Sequence, residues 1–153
     1  MRMVHIGCDQ PFDTVVTDPK TVIVSPNYPN AYGKNQHCEI TIRYTEMVRV
    51  VFLEFLLVDC PNDYMEFFDG ITSNSTRIGP QLCGNERPRP LYSSGKTMRI
   101  LFHTDHDKEY DGFKILTESG NDMKRISIHF GAIIVLMKDN YLNQLMLSNF
   151  NSI

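Results

Sequence analysis

Two aspartates stand at the ends of apolar-alternating runs. Asp63 precedes Tyr64-Met65-Glu66-Phe67-Phe68, and Asp105 follows Thr97-Met98-Arg99-Ile100-Leu101-Phe102. If these runs are antiparallel neighbours, both carboxylates emerge at one edge of a sheet. Close carboxylates repel, and a hard dication that prefers oxygen relieves the repulsion. The chain also carries four cysteines, Cys8, Cys38, Cys60 and Cys83, none of them in a Cys-x-x-Cys pair. The signature of zinc ribbons and thioredoxin-like sites is therefore missing. An even set of well-separated cysteines suits two disulfides formed in an oxidising compartment. Four cysteines allow three pairings, and spacing does not choose among them. If sequence neighbours pair, each bridge closes a loop of roughly 20–30 residues, worth about 3.5 kcal/mol in chain entropy.

Other chemistry-bearing stretches reduce to simpler readings. His103-Thr104-Asp105-His106-Asp107 is dense in metal-ligand types, but strand alternation sends nearby residues to different faces, so a zinc site within it is set aside. Ser93-Ser94-Gly95-Lys96-Thr97 ends like a phosphate-binding loop, yet Pro90 and Leu91 stand where the leading glycine is needed. Ser94 has Tyr92 in place of the first glycine of a nucleophile elbow. Nothing arranges serine, histidine and aspartate as a triad. Asn74-Ser75-Thr76 is an N-glycosylation sequon in an expected surface loop, which favours secretion.

The elements that must hold these groups read as short strands. At 153 residues the chain fits one domain with an appendage, and its apolar fraction of 42% suffices for a core. A net charge of −3 is too small to imply a nucleic-acid partner, no Lys/Arg cluster appears, and no such partner is expected. Val22-Ile23-Val24 is an apolar run halted by Ser25-Pro26-Asn27-Tyr28-Pro29-Asn30, where two prolines remove ladder donors. Glu39-Ile40-Thr41-Ile42-Arg43 alternates, residues 48–58 form a longer apolar strand, and Phe113-Lys114-Ile115-Leu116 closes the set after Asp111-Gly112. Asp69-Gly70 is a strong turn dipeptide. Strands at this spacing, with no convincing amphipathic helix between them, predict an all-β antiparallel sandwich. Leu56, Leu57, Phe67 and Phe68 are assigned to its core.

The flanks differ in character. Residues 1–7 read as an N-terminal extension without the apolar segment of a signal peptide, so the expectation is a fragment of a longer secreted or membrane-anchored protein. Residues 119–153 form a C-terminal tail without an assigned role. Its apolar stretch at 126–137 includes His129 and is well short of the ~20 residues of a spanning helix. Beyond it Tyr141, Leu142, Leu145, Met146 and Phe150 recur at roughly helical spacing.

Over residues 8–118 a series of local patterns occurs in order. Ser25-Pro26-Asn27-Tyr28-Pro29 leads to Tyr32, Asn35 and Cys38. Val50-Val51-Phe52-Leu53-Glu54-Phe55, Cys60-Pro61-Asn62-Asp63-Tyr64, Phe68-Asp69-Gly70, Ile78-Gly79 and Leu82-Cys83-Gly84 follow. Ser93-Ser94-Gly95, Met98-Arg99-Ile100-Leu101-Phe102, Thr104-Asp105 and Gly112-Phe113 complete it. Together they resemble the CUB domain, the extracellular module of complement proteases, procollagen proteinases, neuropilins and spermadhesins.

That resemblance implies a compact β-sandwich (jelly-roll type) with Cys8–Cys38 and Cys60–Cys83 disulfides. Ile40 stands where the family commonly has Trp, and a branched aliphatic fills such a site with less area. The resemblance also implies calcium: Asp63 and Asp105 match the family's calcium aspartates, Tyr32 matches the tyrosine supporting them, and Asp107 falls where further oxygens come from. Calcium-binding members carry Glu at the position of Val58, with Asp59 adjacent here as the substitute. By the same resemblance a lysine or arginine of an extracellular protein partner would be captured at Tyr32, Asp63, Asp105 and His106, weakening with salt and chelator. The expected function is a non-catalytic recognition module; the alternatives are a regulatory fragment of a secreted protease and a stand-alone glycan-binding protein.

Overall fold

A computed structural model describes residues 1–8 and 15–120, and Met1–Gly120 form one compact unit. The tail's apolar stretch and helical spacing lie outside the described residues. Eleven strands run through the described residues: β1 Arg2–His5, β2 Gly7–Cys8, β3 Val15–Val16, β4 Lys20–Val24, β5 His37–Arg43, β6 Val48–Leu56, β7 Tyr64–Asp69, β8 Thr76–Arg77, β9 Leu91–Tyr92, β10 Thr97–His103 and β11 Gly112–Ser119. They make two sheets, one ordered β1-β4-β11-β6-β9 and the other β2-β5-β10-β7-β8, with β3 added alongside β5. No helix long and apolar enough to cross a membrane is present among the described residues.

Alternation decides the core. On β5 Cys38, Ile40 and Ile42 face inward, on β10 Met98, Ile100 and Phe102, and on β7 Met65 and Phe67. The other sheet answers with Ile23, Val48, Val50, Phe52, Phe113 and Ile115. Ile40 is 1% exposed, so the aliphatic does fill the expected core position. The pairing of β11 with β6 shifts register between Lys114, opposite Glu54, and Ile115, opposite Phe52. The extra residue, Leu53, inverts the phase of β6, so Phe52 and Phe55 both turn inward and meet edge to face at 5.7 Å.

One expectation needs correction. Phe67 and Leu57 are core, but Phe68 and Leu56 are only partly buried, because a period of two sends adjacent residues to opposite faces. Phe68 instead lies on the outer face beneath the Arg99 guanidinium, 4.3 Å from its ring centroid. Residues 1–7, read from the sequence as an extension, supply β1 in parallel register with β4 and place Ile6 in the core.

The disulfides join Cys8 to Cys38 and Cys60 to Cys83. The first fastens β2 across β5, where the two cysteines are directly opposed. The second ties the turn before β7 to the segment after β8 that bridges back to Met65 and Leu57.

Candidate functional site

The pairing of β10 with β7 fixes the site. His103 lies opposite Tyr64 in antiparallel register, so the residue before β7 and those after β10 leave the sheet at the same edge. There Asp63 Oδ1 accepts the backbone amide of Asp105 at 2.9 Å. Asp105 Oδ1 in turn accepts the amide of Asp107 at 2.8 Å. The third contributor arrives from the loop before β5. Tyr32 donates its hydroxyl to Asp63 Oδ2 at 2.6 Å, and its ring packs edge to face on Phe102 at 5.3 Å.

Thr104 anchors that loop. Its hydroxyl donates to the Gly33 carbonyl at 2.9 Å and accepts the Gln36 amide at 2.9 Å. Asn35 donates its amide to the Asp105 carbonyl at 2.6 Å, from a left-handed backbone at φ 52° that asparagine tolerates. The Tyr32 amide reaches the Tyr110 carbonyl at 3.1 Å. Gly112 supports the other side at φ 87°; a β-carbon there would approach the Tyr32 ring to 3.2 Å and intrude on Ser25.

Asp59 enters from the turn between β6 and β7. Its carbonyl accepts the amides of Asn62 at 2.8 Å and Asp63 at 3.0 Å. Its carboxylate Oδ2 is buried and has no hydrogen-bond partner among the described residues. Tyr32 and Asp63 are fully buried. Burial first, then the hydrogen bond to Asp63 and its charge, with smaller contributions from Tyr110 and Asp59, push the Tyr32 hydroxyl far above the usual phenol range. Tyr32 is therefore a permanent donor.

The structure brings Tyr32, Asp63 and Asp105 together by direct hydrogen bonds and sets Asp59 in the same turn as Asp63. His106 and Asp107 are exposed beside them, and Val58 is 42% exposed. Asn74 is exposed in the turn after β7, at the far end of that six-residue strand. Thr104, Tyr110 and Ser25 support the cluster without having been assigned roles from the sequence; Thr104, adjacent to Asp105, was the one with a visible signal.

Calcium places a chemical demand on these residues. Carboxylate and carbonyl oxygens are the donors a hard cation takes, and a buried carboxylate oxygen with no partner is costly unless a cation or proton meets it. Asp59, Asp63 and Asp105 supply carboxylate oxygens of that kind, and the partnerless one is Asp59 Oδ2, since both Asp63 oxygens already accept hydrogen bonds. No three His, Cys, Asp or Glu side chains among the described residues form a ready cage.

The CUB domain family model matches residues 8–116. A curated relative, the bovine inactive serine protease PAMR1, is 41% identical over 110 residues, covering 68% of this chain and 14% of that protein. The chain thus spans about one-seventh of that relative's length. A solved structure of the MASP-1 CUB2 domain bound to Ca2+ superposes with a TM-score of 0.60 at 30% identity, covering 69% of this chain and 96% of that one. The full extracellular region of zebrafish Gpr126/Adgrg6 matches with a TM-score of 0.60 at 28% identity, over 69% of this chain and 14% of that one. The chain belongs to the CUB domain family, non-catalytic interaction modules of extracellular proteins.

Proposed function

We propose that this module works outside the cell and recognises a protein partner through a calcium-dependent acidic site that receives a lysine or arginine side chain. The observation that carries the reading is the partnerless buried oxygen of Asp59 beside the Tyr32–Asp63–Asp105 chain of hydrogen bonds. The Ca2+ in the similar MASP-1 domain supports the choice of ion. Asp59, Asp63 and Asp105 would hold it, with Asp107 adjacent. When bound, the ion offsets the mutual repulsion of the carboxylates and fixes their orientation. Tyr32 and Asp63 are buried, so neither meets the partner directly; Asp105, Asp107 and His106 form the accessible surface that meets the partner's cation.

Calorimetric titration with Ca2+ tests this. Wild type is expected to release heat with one equivalent, and Asp59→Asn to weaken binding by about tenfold or more, a loss of about 1.4 kcal/mol or more. Asp59→Asn is the informative variant because it breaks no hydrogen bond of that side chain's Oδ2. A wild-type titration without heat removes the calcium dependence. Capture of a lysine-rich peptide, lost in chelator and after lysine acetylation, tests the recognition step. Heparin binding that persists in chelator would favour the glycan-binding alternative. Similarity to an inactive serine protease supports a second reading, a regulatory module within a protease-like protein.

A further inference from the structure

The outer face of the second sheet carries a group that the acidic site does not use. His37 on β5 and His103 on β10 are direct partners in antiparallel register. Neither residue faces the core, and their rings lie 6.1 Å apart between centroids with planes at 71°. Tyr64 packs on the other side of His103 at 5.1 Å and so limits how that ring can turn. Among the described residues neither nitrogen of His103 makes a hydrogen bond, and His37 has only Glu39 nearby, Nε2 to Oε1 at 3.9 Å. Glu39 is itself engaged by Arg99 Nη1 at 3.1 Å.

We propose that His37 and His103 chelate a borderline divalent transition-metal ion, of the class of Zn2+ or Cu2+. Opposed residues on neighbouring antiparallel strands hold their β-carbons about 4.5–5.5 Å apart, so the backbone has already brought the two imidazoles together. Two imidazoles on one ion, with metal–nitrogen distances of about 2.0–2.1 Å at a tetrahedral angle, put their ring centroids about 5 Å apart. Small torsional adjustments within the same rotamer wells reach that from the observed separation. Imidazole nitrogen selects zinc and copper over calcium, so this site and the carboxylate site take different ions. Glu39 places a carboxylate beside His37, with its charge partly offset by Arg99. Solvent fills the remaining coordination positions, which leaves the ion open to an outside ligand.

The test is a Zn2+ titration of the full chain in saturating Ca2+, read by histidine ring NMR signals and by competition with a chromophoric chelator. One equivalent should bind, moving the signals of His37 and His103 together and leaving the other three histidines unmoved. His37→Gln and His103→Gln should each weaken zinc binding by at least the loss of an outer-sphere contact, about tenfold or more, while the Ca2+ titration is unchanged. Both side chains lie outside the core, so circular dichroism of the variants should match wild type. Zinc affinity undiminished in His103→Gln, movement of any other histidine in place of these two, or no binding at millimolar zinc would each overturn the site.

Discussion

Tyr32 is completely buried yet carries a polar tip, and its burial is tolerable only because Asp63 accepts a hydrogen bond from the hydroxyl at 2.6 Å. Removing the hydroxyl strands one oxygen of a buried carboxylate. Tyr32→Phe keeps the ring contact with Phe102 and should cost about 1.5–3 kcal/mol, the range for hydrogen bonds to charged groups. Urea denaturation measures it. The same residue predicts an alkaline limit. Folding raises the Tyr32 pKa through burial and Asp63, and burial also raises that of Tyr44, whose hydroxyl pairs with Thr117 Oγ1 at 2.7 Å. The native state then holds protons that the unfolded chain releases above about pH 10. Stability from these groups is complete below that pH and falls as pH rises, by up to roughly 1.4 kcal/mol per pH unit per tyrosine. Denaturation between pH 8 and 11 should show the decline, and Tyr32→Phe should remove one tyrosine's share of the slope. A slope unchanged in the variant would refute the assignment.

The entry to β11 illustrates how an element positions a site it does not itself furnish. Gly112 begins that strand at φ 87°, a region open to glycine and strained for other residues. Phe113 and Ser25 then lock the neighbouring strand ends: the Ser25 amide donates to the Phe113 carbonyl at 3.0 Å, and the Phe113 amide donates to Ser25 Oγ at 3.2 Å. A methyl at position 112 would press on Ser25 and the Tyr32 ring together. Gly112→Ala should therefore destabilise by about 2 kcal/mol or more, strain and overpacking combined, and should also lower Ca2+ affinity because Tyr32 is displaced. An alanine variant with wild-type melting temperature and calcium affinity would show that the contact is readily relieved. The bulge at Leu53 works similarly on the fold: without it Phe55 would share the phase of Leu53 and lie outward.

Across the whole molecule the two ends of the second sheet are chemically separate. The acidic cluster gathers where β7 begins, whereas the Asn74-Ser75-Thr76 sequon follows its end, with Asn74 exposed and Ser75 Oγ accepting the Thr72 amide at 3.0 Å. Six residues of extended strand place these features about 17 Å apart or more. Expressed through a secretory pathway, the chain should gain a glycan that Asn74→Gln abolishes, read as a mass difference. Its presence should leave Ca2+ affinity unchanged. A glycan at this asparagine that weakens calcium binding would contradict the separation.

Much of this was legible in the residues themselves. Alternation, the Pro- and Gly-marked turns and the ordered motifs were enough for strands, sandwich and family, because a period of two and backbone-restricted residue types are local properties. They also marked Asp63 and Asp105 as a pair, conditional on their strands being neighbours. What remained hidden was every feature set by pairing register. The opposition of His37 and His103, the outward turn of Phe68 onto Arg99, the bulge at Leu53 and the enlistment of β1 all depend on which strand lies beside which and in what phase. The orphaned oxygen of Asp59 depends on burial by distant segments. The chain alone determined which groups were available; only tertiary contact decided which of them meet, because register is settled by the whole core packing at once rather than by any local stretch.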